Sequence, residues 1–434
     1  MDDVTVGLIG LGFLLALLLI GTPIAISLIV VSFLGTWQLT NLKVAWGFLK
    51  FLPYSFSANW ILSSIPLFLL LGFICYYAEL TKGMFNAARV WLARLPGGLA
   101  ISAVVGSAGF ATVSGSSLAT SAAMGRIAIP EMLENNYDQR LATGVVAISG
   151  TIGALIPPSI ILIVYGLIAE QSITELFLGG LTVGIITAVL YAFVVVIYSL
   201  LNPQSARGVK TDTTFREKVS ALIETWPALL IIASVFIGLF SGVFTATESG
   251  AVAVAIAIVA GVARRTLTWA GLWNACKDAA SVTCSIIFIA VGASLLSKFL
   301  AISGVDEFLS DALLSFSSNE ILAFLIIVSI YLFLGMFIDP IGAMLLTLPF
   351  VLPFVREIGW SAVWFGVVLT KLLEIGMITP PVGMNVFIVK SVVKDTVPLG
   401  DIFHGVMWFF IVDMIFIFTL AMFPNIVLFL PNML

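Results

Sequence analysis

Ile152-Gly-Ala-Leu-Ile-Pro157-Pro158 and Ile375-Gly-Met-Ile-Thr-Pro380-Pro381 share the pattern I-G-x-x-x-P-P. Each follows an isolated proline, Pro130 or Pro353. The pattern glycines, Gly153 and Gly376, stand 223 residues apart, and so do the two isolated prolines. At the same offset Thr22 of Gly21-Thr22-Pro23 meets Thr245 of Phe244-Thr245-Ala246. A constant spacing of this kind predicts two related halves. A proline removes a backbone donor and clashes with the preceding turn. Two in succession, four residues after a glycine, predict a locally unwound helix. Unwound backbone at membrane depth persists only where it is buried or lines a cavity, and its freed carbonyls suit a hard cation such as sodium. A plain proline kink would explain one such stretch. Its recurrence at a fixed offset favours paired, functional helix breaks.

The flanking sequence makes lipid the solvent. Of 434 residues, 61% are hydrophobic and 10% charged, against roughly 25% charged in soluble domains. Apolar runs near the bilayer-spanning length of about 20 residues recur from end to end. They lie near 6–35, 57–80, 139–169, 173–200, 226–243, 245–263, 281–301, 319–338, 361–392 and 402–431. Only helices and closed barrels satisfy the backbone in lipid, and runs without strict alternation select helices. The predicted fold class is therefore all-α, a polytopic membrane protein. Pieces at 40–54 and 268–280 carry Lys43, Trp46, Lys50, Trp269, Trp273 and Lys277 and read as interfacial helices. Asp2 and Asp3 precede the first run where a signal peptide would carry basic residues, so 6–35 is expected to be a retained membrane helix. Cys75, Cys276 and Cys284 have no metal or disulfide spacing. The single histidine, His404, excludes His-rich metal sites and H-E-x-x-H chemistry.

Basic residues favour the cytoplasmic side. The polar interval 202–224 holds Arg207, Lys210, Arg216 and Lys218, and Arg264, Arg265, Lys390 and Lys394 end other segments. These ends are placed inside. Connections with Glu170 and Glu175, or with Asp306, Glu307 and Asp311, are placed outside, and threading from these anchors puts the N-terminus outside. With this threading the two halves are inverted, a hallmark of secondary transporters that bind substrate at the repeat interface.

Before each break lies a second unusual segment. Gly109-Phe-Ala-Thr112-Val-Ser114-Gly115-Ser116-Ser117-Leu-Ala-Thr120-Ser121 sits between apolar flanks too short to span alone. It predicts a re-entrant helical hairpin with its tip at 114–117. Glycine permits the tight turn, and the restarting helix aims N–H groups and a positive dipole end at an anion. Small-residue helix packing accounts for Ala119, Ala122 and Ala123, but not for the Ser-Gly-Ser-Ser core. At offset 223 the tip maps to Phe337-Ile338-Asp339-Pro340. An acidic residue within an apolar segment is functional by default, unless it merely ends a helix. Glu248, Lys371, Glu374 and Asp413 are weaker candidates. Arg126 is a candidate for the substrate carboxylate, with snorkelling or an acidic structural partner as the plain alternatives.

Taken in order, Gly21-Thr22-Pro23, the Ser114-Gly-Ser-Ser tip with Pro130-Glu-Met, Gly153-Ala-Leu-Ile-Pro-Pro-Ser159-Ile, Gly242-Val-Phe-Thr-Ala-Thr-Glu248 and Gly376-Met-Ile-Thr-Pro-Pro-Val-Gly383-Met-Asn385 resemble the large, DctM-like membrane subunit of tripartite ATP-independent periplasmic (TRAP) transporters. The similarity covers essentially the whole chain; Ala246 stands where the family usually has proline. The resemblance implies an elevator-type transporter of the bacterial inner membrane. It implies sodium coupling, a carboxylate-bearing substrate, a small four-helix membrane subunit and a periplasmic substrate-binding protein. It places scaffold at 1–96, transport elements at 97–169, scaffold at 170–318, transport elements at 319–392 and a C-terminal scaffold helix at 393–434. Carried over by position, one sodium site uses Ser114, Ser117, Gly153, Ile156 and Pro157, and a second uses Gly335, Gly376 and Thr379. Ser116, Ser159, Asp339 and Asn385, with Arg126, are the substrate candidates.

Two other classes compete. An intramembrane serine hydrolase would use Ser114-Gly115, but Thr112 stands where its motif needs glycine, and a serine nucleophile needs a base. An ion channel explains broken helices but not paired hairpins in a twofold repeat. No Walker A phosphate loop supports ATP-driven transport. The identity of the anion is not written in the chain.

Overall fold

The computed structural model describes residues 2–206, 214–315 and 320–433. Arg207, Lys210 and the expected boundary at 318–319 lie outside the described residues. The regular elements among the described residues are all helices.

The apolar run 6–35 is two helices, α1 (Asp3–Leu19) and α2 (Ile24–Leu39), rather than the single expected one. Gly21 adopts a left-handed φ of +87° and Pro23 has no N–H to continue the ladder. The Leu17 carbonyl accepts from both the Thr22 N–H, at 3.1 Å, and the Thr22 hydroxyl. There follow α3 (Leu42–Ser57), a 3-10 turn over Trp60–Ser63, α4 (Ser64–Tyr77) and α5 (Lys82–Leu92). Next come α6 (Gly98–Ser114), α7 (Ser117–Glu134), α8 (Gln139–Gly150), α9 (Ile160–Ala169) and α10 (Ile173–Leu201).

The second half runs α11 (Phe215–Glu224), α12 (Trp226–Phe240), α13 (Ala246–Ala263), α14 (Trp269–Ser303) and α15 (Val305–Ser315). It continues with α16 (Glu320–Gly335), α17 (Pro340–Glu357), α18 (Ala362–Gly376), α19 (Met384–Val393), α20 (Leu399–Met422) and α21 (Asn425–Leu428). The expected interfacial piece 268–280 is the start of the 35-residue α14, because no proline or left-handed glycine interrupts that stretch. Its first-half counterpart is broken at Ala58–Asn59, where the Asn59 side chain accepts from the Ile61 N–H at 2.9 Å.

Element order repeats with the motif spacing. Ser117–Glu134 and Pro340–Glu357 lie 223 residues apart at both ends, as do Lys82–Leu92 and Val305–Ser315. Six stretches are long and apolar enough to cross a membrane among the described residues, and a seventh is the pair α11–α12, bent by 51°. Glu320–Gly335, Gly98–Ser114 and Ile160–Ala169 are apolar but shorter. At 1.5 Å per residue each falls short of a hydrocarbon core of about 30 Å. The halves interlock: α7 packs on α19, α8 on α20, and α18 on the turn at 151–154. This interlocking brings the unusual segments together.

Candidate functional site

At the first tip α6 ends at Ser114, Gly115 turns the chain with a left-handed φ of +61°, and Ser116 is extended. The Ser116 side chain accepts from the Ala119 N–H at 3.4 Å and so caps α7. A Cβ on Gly115 would strike the Pro158 carbonyl; only glycine lets the tip meet the break. The Thr120 hydroxyl donates to the Ser116 carbonyl at 2.8 Å and lies 3.0 Å from the Ser114 hydroxyl. A Cβ on Gly153 would come within 2.6 Å of Thr120 Oγ1 and 2.8 Å of the Ser116 carbonyl. The break itself is a 3-10 turn over Thr151–Ala154 followed by a cis Pro157–Pro158 bond. Ser159 restarts the helix, accepting from the Leu162 N–H and donating to the Ala154 carbonyl. Residues 151–166 are buried throughout.

Of the expected first sodium set, Ser114 and Gly153 are joined through Thr120 and the Ser116 carbonyl, which both approach. Thr120 was not singled out by sequence reasoning. Its signal was its place one turn into the restarting helix, where its hydroxyl can bond back to the tip. Ile156 packs against Gly184 of α10. Ser117 turns away from Ser114, and its hydroxyl donates to Glu374 of α18 at 2.9 Å.

At the second tip Asp339 occupies the position equivalent to Ser116. Its carboxylate accepts from the Gly342 N–H at 2.9 Å, with Pro340 at the first helical position of α17. Asp339 is thus a helix-capping carboxylate at a positive dipole end. Gly335 and Gly376 touch: a Cβ on Gly376 would lie 2.6 Å from the Gly335 Cα. The Thr379 hydroxyl is bonded back to the Ile375 carbonyl at 2.7 Å. Asn385 is fully buried; its N–H donates to the Met377 carbonyl at 3.1 Å, while its side-chain oxygen and nitrogen have no partner. Pro380–Pro381 is also cis, but both prolines are exposed. The first break is closed in and the second is open.

A buried polar chain joins the halves. Lys371 and Glu374 sit three apart on α18, on one face. Lys371 Nζ is 2.7 Å from Asp413 Oδ1 of α20 and donates to the Tyr191 hydroxyl of α10 at 2.9 Å. Tyr191 in turn donates to Asp413 Oδ2 at 2.6 Å and lies 3.3 Å from the Thr151 hydroxyl at the first break. One oxygen of Glu374 has no partner. Sequence reasoning marked Lys371, Glu374 and Asp413 singly; it missed Tyr191 and Thr151, because nothing local links them.

Two candidates lie elsewhere. Glu248 forms a capping box with Thr245 at the start of α13. Arg126 is not brought to the tip. Nine residues along α7, about 13 Å at the helical rise, it faces Tyr76 of α4. His404 is exposed with Nδ1 2.7 Å from the Gly400 carbonyl, so it offers Ser114 no base.

The family model for the DctM component of the tripartite ATP-independent periplasmic transporter matches residues 11–426. The sialic acid TRAP transporter large permease protein SiaM of Vibrio cholerae is 32% identical over 422 residues, covering 96% of this chain and 97% of that protein. The C4-dicarboxylate TRAP transporter large permease protein DctM of Pseudomonas aeruginosa is 30% identical, with 87% of each chain covered. Among solved structures, the YdaH transporter of Alcanivorax borkumensis shares the fold with a TM-score of 0.58 at 13% identity, over 88% of this chain and 90% of that one. The chain belongs to the DctM family, and is a multi-pass large permease component of a tripartite ATP-independent periplasmic transporter.

Proposed function

We propose that the chain carries a small carboxylate-bearing solute into the cell by sodium-coupled secondary transport. The observation that carries this reading is the meeting of a hairpin tip with a helix break. The Thr120 hydroxyl and the Ser116 carbonyl face the backbone at Gly153, and the Ser114 hydroxyl joins them through Thr120, inside an apolar core. Hard cations take oxygen donors, and this set is all oxygen. Sodium is cargo here; the first tip and break hold one ion, and Gly335, Gly376 and Thr379 mark the related second place. The N-termini of α7 and α17, capped by Ser116 and Asp339, face the substrate. The unpaired Asn385 amide is available to it. Asp339 bonds a substrate hydroxyl or amide, or holds the cation, since two carboxylates repel without a cation between them.

The relatives named for sialic acid and for C4-dicarboxylates support a carboxylate as the shared chemical handle. We place the chain in the bacterial inner membrane with a periplasmic N-terminus and inverted halves. A periplasmic binding protein delivers the substrate and a small four-helix subunit completes the membrane part. In an elevator motion, hairpins α6–α7 and α16–α17 slide with the breaks. The division expected at 169–170 and 392–393 cuts the buried Lys371–Asp413 pair and the Tyr191 contacts. We therefore assign α10 and α20 to the moving part, because sliding across a dry ion pair would strand both charges.

Purified chain, small subunit and binding protein in liposomes test the reading. Uptake is expected with an inward sodium gradient and without ATP. An equal rate under a potassium gradient removes the sodium coupling. Full-rate uptake by this chain alone removes the partners. Exchange of labelled for unlabelled substrate marks a carrier; its absence alongside flux marks a channel.

A further inference from the structure

Arg126 is the only basic residue of α7. A guanidinium stays charged at any working pH and seeks an acceptor or water. Among the described residues Arg126 makes no ion pair. Its one hydrogen bond goes to the Tyr76 hydroxyl, and it lies over the Tyr76 ring at 5.8 Å from the centroid. Arginine has five N–H donors, so most are free. They border a cavity of about 370 Å³ whose wall includes Tyr76, Tyr77, Glu79, Lys82, Arg126 and Ile127. The nearby acidic groups are engaged: Glu79 pairs with Lys82 at 3.2 Å, and Asp278 accepts from the Tyr77 hydroxyl at 2.7 Å. The cavity has the size of a small-ligand site, which starts at about 300 Å³. It lies about 13 Å along α7 from the hairpin tip.

We infer that this cavity between α4, α5 and α7 is a second anion subsite, in which the Arg126 guanidinium takes a carboxylate in exchange for the Tyr76 hydroxyl. Arginine binds carboxylates through two parallel N–H bonds, which one phenol oxygen does not match. The subsite rests on the transport reading for the source of its anion, a solute that has left the tip. It keeps Arg126 as a carboxylate ligand, at a site apart from the tip.

Accessibility of a cysteine tests this without transport. In a chain whose three native cysteines are alanine, Ile127→Cys lines the cavity. Its rates with an anionic sulfonatoethyl and a cationic trimethylammonioethyl methanethiosulfonate are measured with and without Arg126→Gln. A unit charge about 6 Å away in water changes each rate about threefold, so their ratio should fall about tenfold when the arginine is lost. Arg126→Lys should keep most of the ratio. Excess succinate should slow the anionic reagent only when Arg126 is present. A ratio unchanged by Arg126→Gln, or labelling by neither reagent, overturns the subsite. Labelling needs neither sodium nor partners, so a failed sodium claim would leave this result standing.

Discussion

The Lys371–Asp413 pair offers the sharpest test of how the halves are joined. The two charges are 2.7 Å apart with side chains no more than 1% exposed, and Tyr191 bridges them. Lys371→Met leaves a buried carboxylate with only a phenol donor. Asp413→Leu leaves a buried ammonium against the Tyr191 oxygen. Breaking such a pair from one side costs about 3–5 kcal/mol, whereas replacing both members with apolar residues is often neutral. At about 2 °C per kcal/mol for a large chain, each single substitution should lower the apparent Tm of the purified protein by roughly 6–10 °C. The double variant should return to within about 2 °C of the parent, with Tyr191 keeping its Thr151 partner at 3.3 Å. Thermal unfolding of the four proteins in one detergent measures this cycle. If the double variant loses the sum of the two single losses, the charges do not act as a pair and the assignment of α20 to the moving part fails with them.

Other expectations follow from the tips. Asp339→Asn keeps a side-chain acceptor for the Gly342 N–H, so it should fold and insert while nearly abolishing uptake. Wild-type uptake with unchanged sodium dependence would make the carboxylate a cap and nothing more. Asp339→Ala should in addition lose about 1 kcal/mol of stability with the cap. Ser114→Ala and Thr120→Ala should both raise the sodium concentration for half-maximal uptake, because the two hydroxyls share one cluster; Leu118→Val beside them should be mild. Sodium titration of uptake by each variant decides, and a shift in Leu118→Val as large as in the other two would count against the cluster. On a cysteine-free background, an impermeant reagent added from the periplasm should label position 306 but not 216. The reverse pattern would turn the topology over.

Much of the fold was legible because lipid leaves few choices. A chain with 61% hydrophobic and 10% charged residues must satisfy its backbone internally, so its apolar runs are helices. Proline and glycine write their effects locally. The breaks at 151–158 and 377–383 and the spacing that relates them follow from the sequence. Two errors were also local in origin. Gly21-Thr22-Pro23 was read as a motif but not as a break within 6–35, and Trp and Lys at 268–280 suggested a separate helix where nothing stops α14.

Tertiary structure alone decided which polar groups meet. Ser117 and Ser114 are three residues apart, yet one hydroxyl points to the tip's own cluster and the other to Glu374, 257 residues away. Periodicity sets the face of a helix on which a residue lies, but the neighbour it meets depends on how the two halves interlock. The Lys371–Asp413–Tyr191 cluster arises in this way, from three helices with no shared local pattern. Arg126 illustrates the same limit: its charge is plain in the sequence, while its distance from the tip is set by the rise of α7 and its partner by the packing of α4. Backbone carbonyls are still less legible, since every residue carries one and only the path of the chain determines where it points.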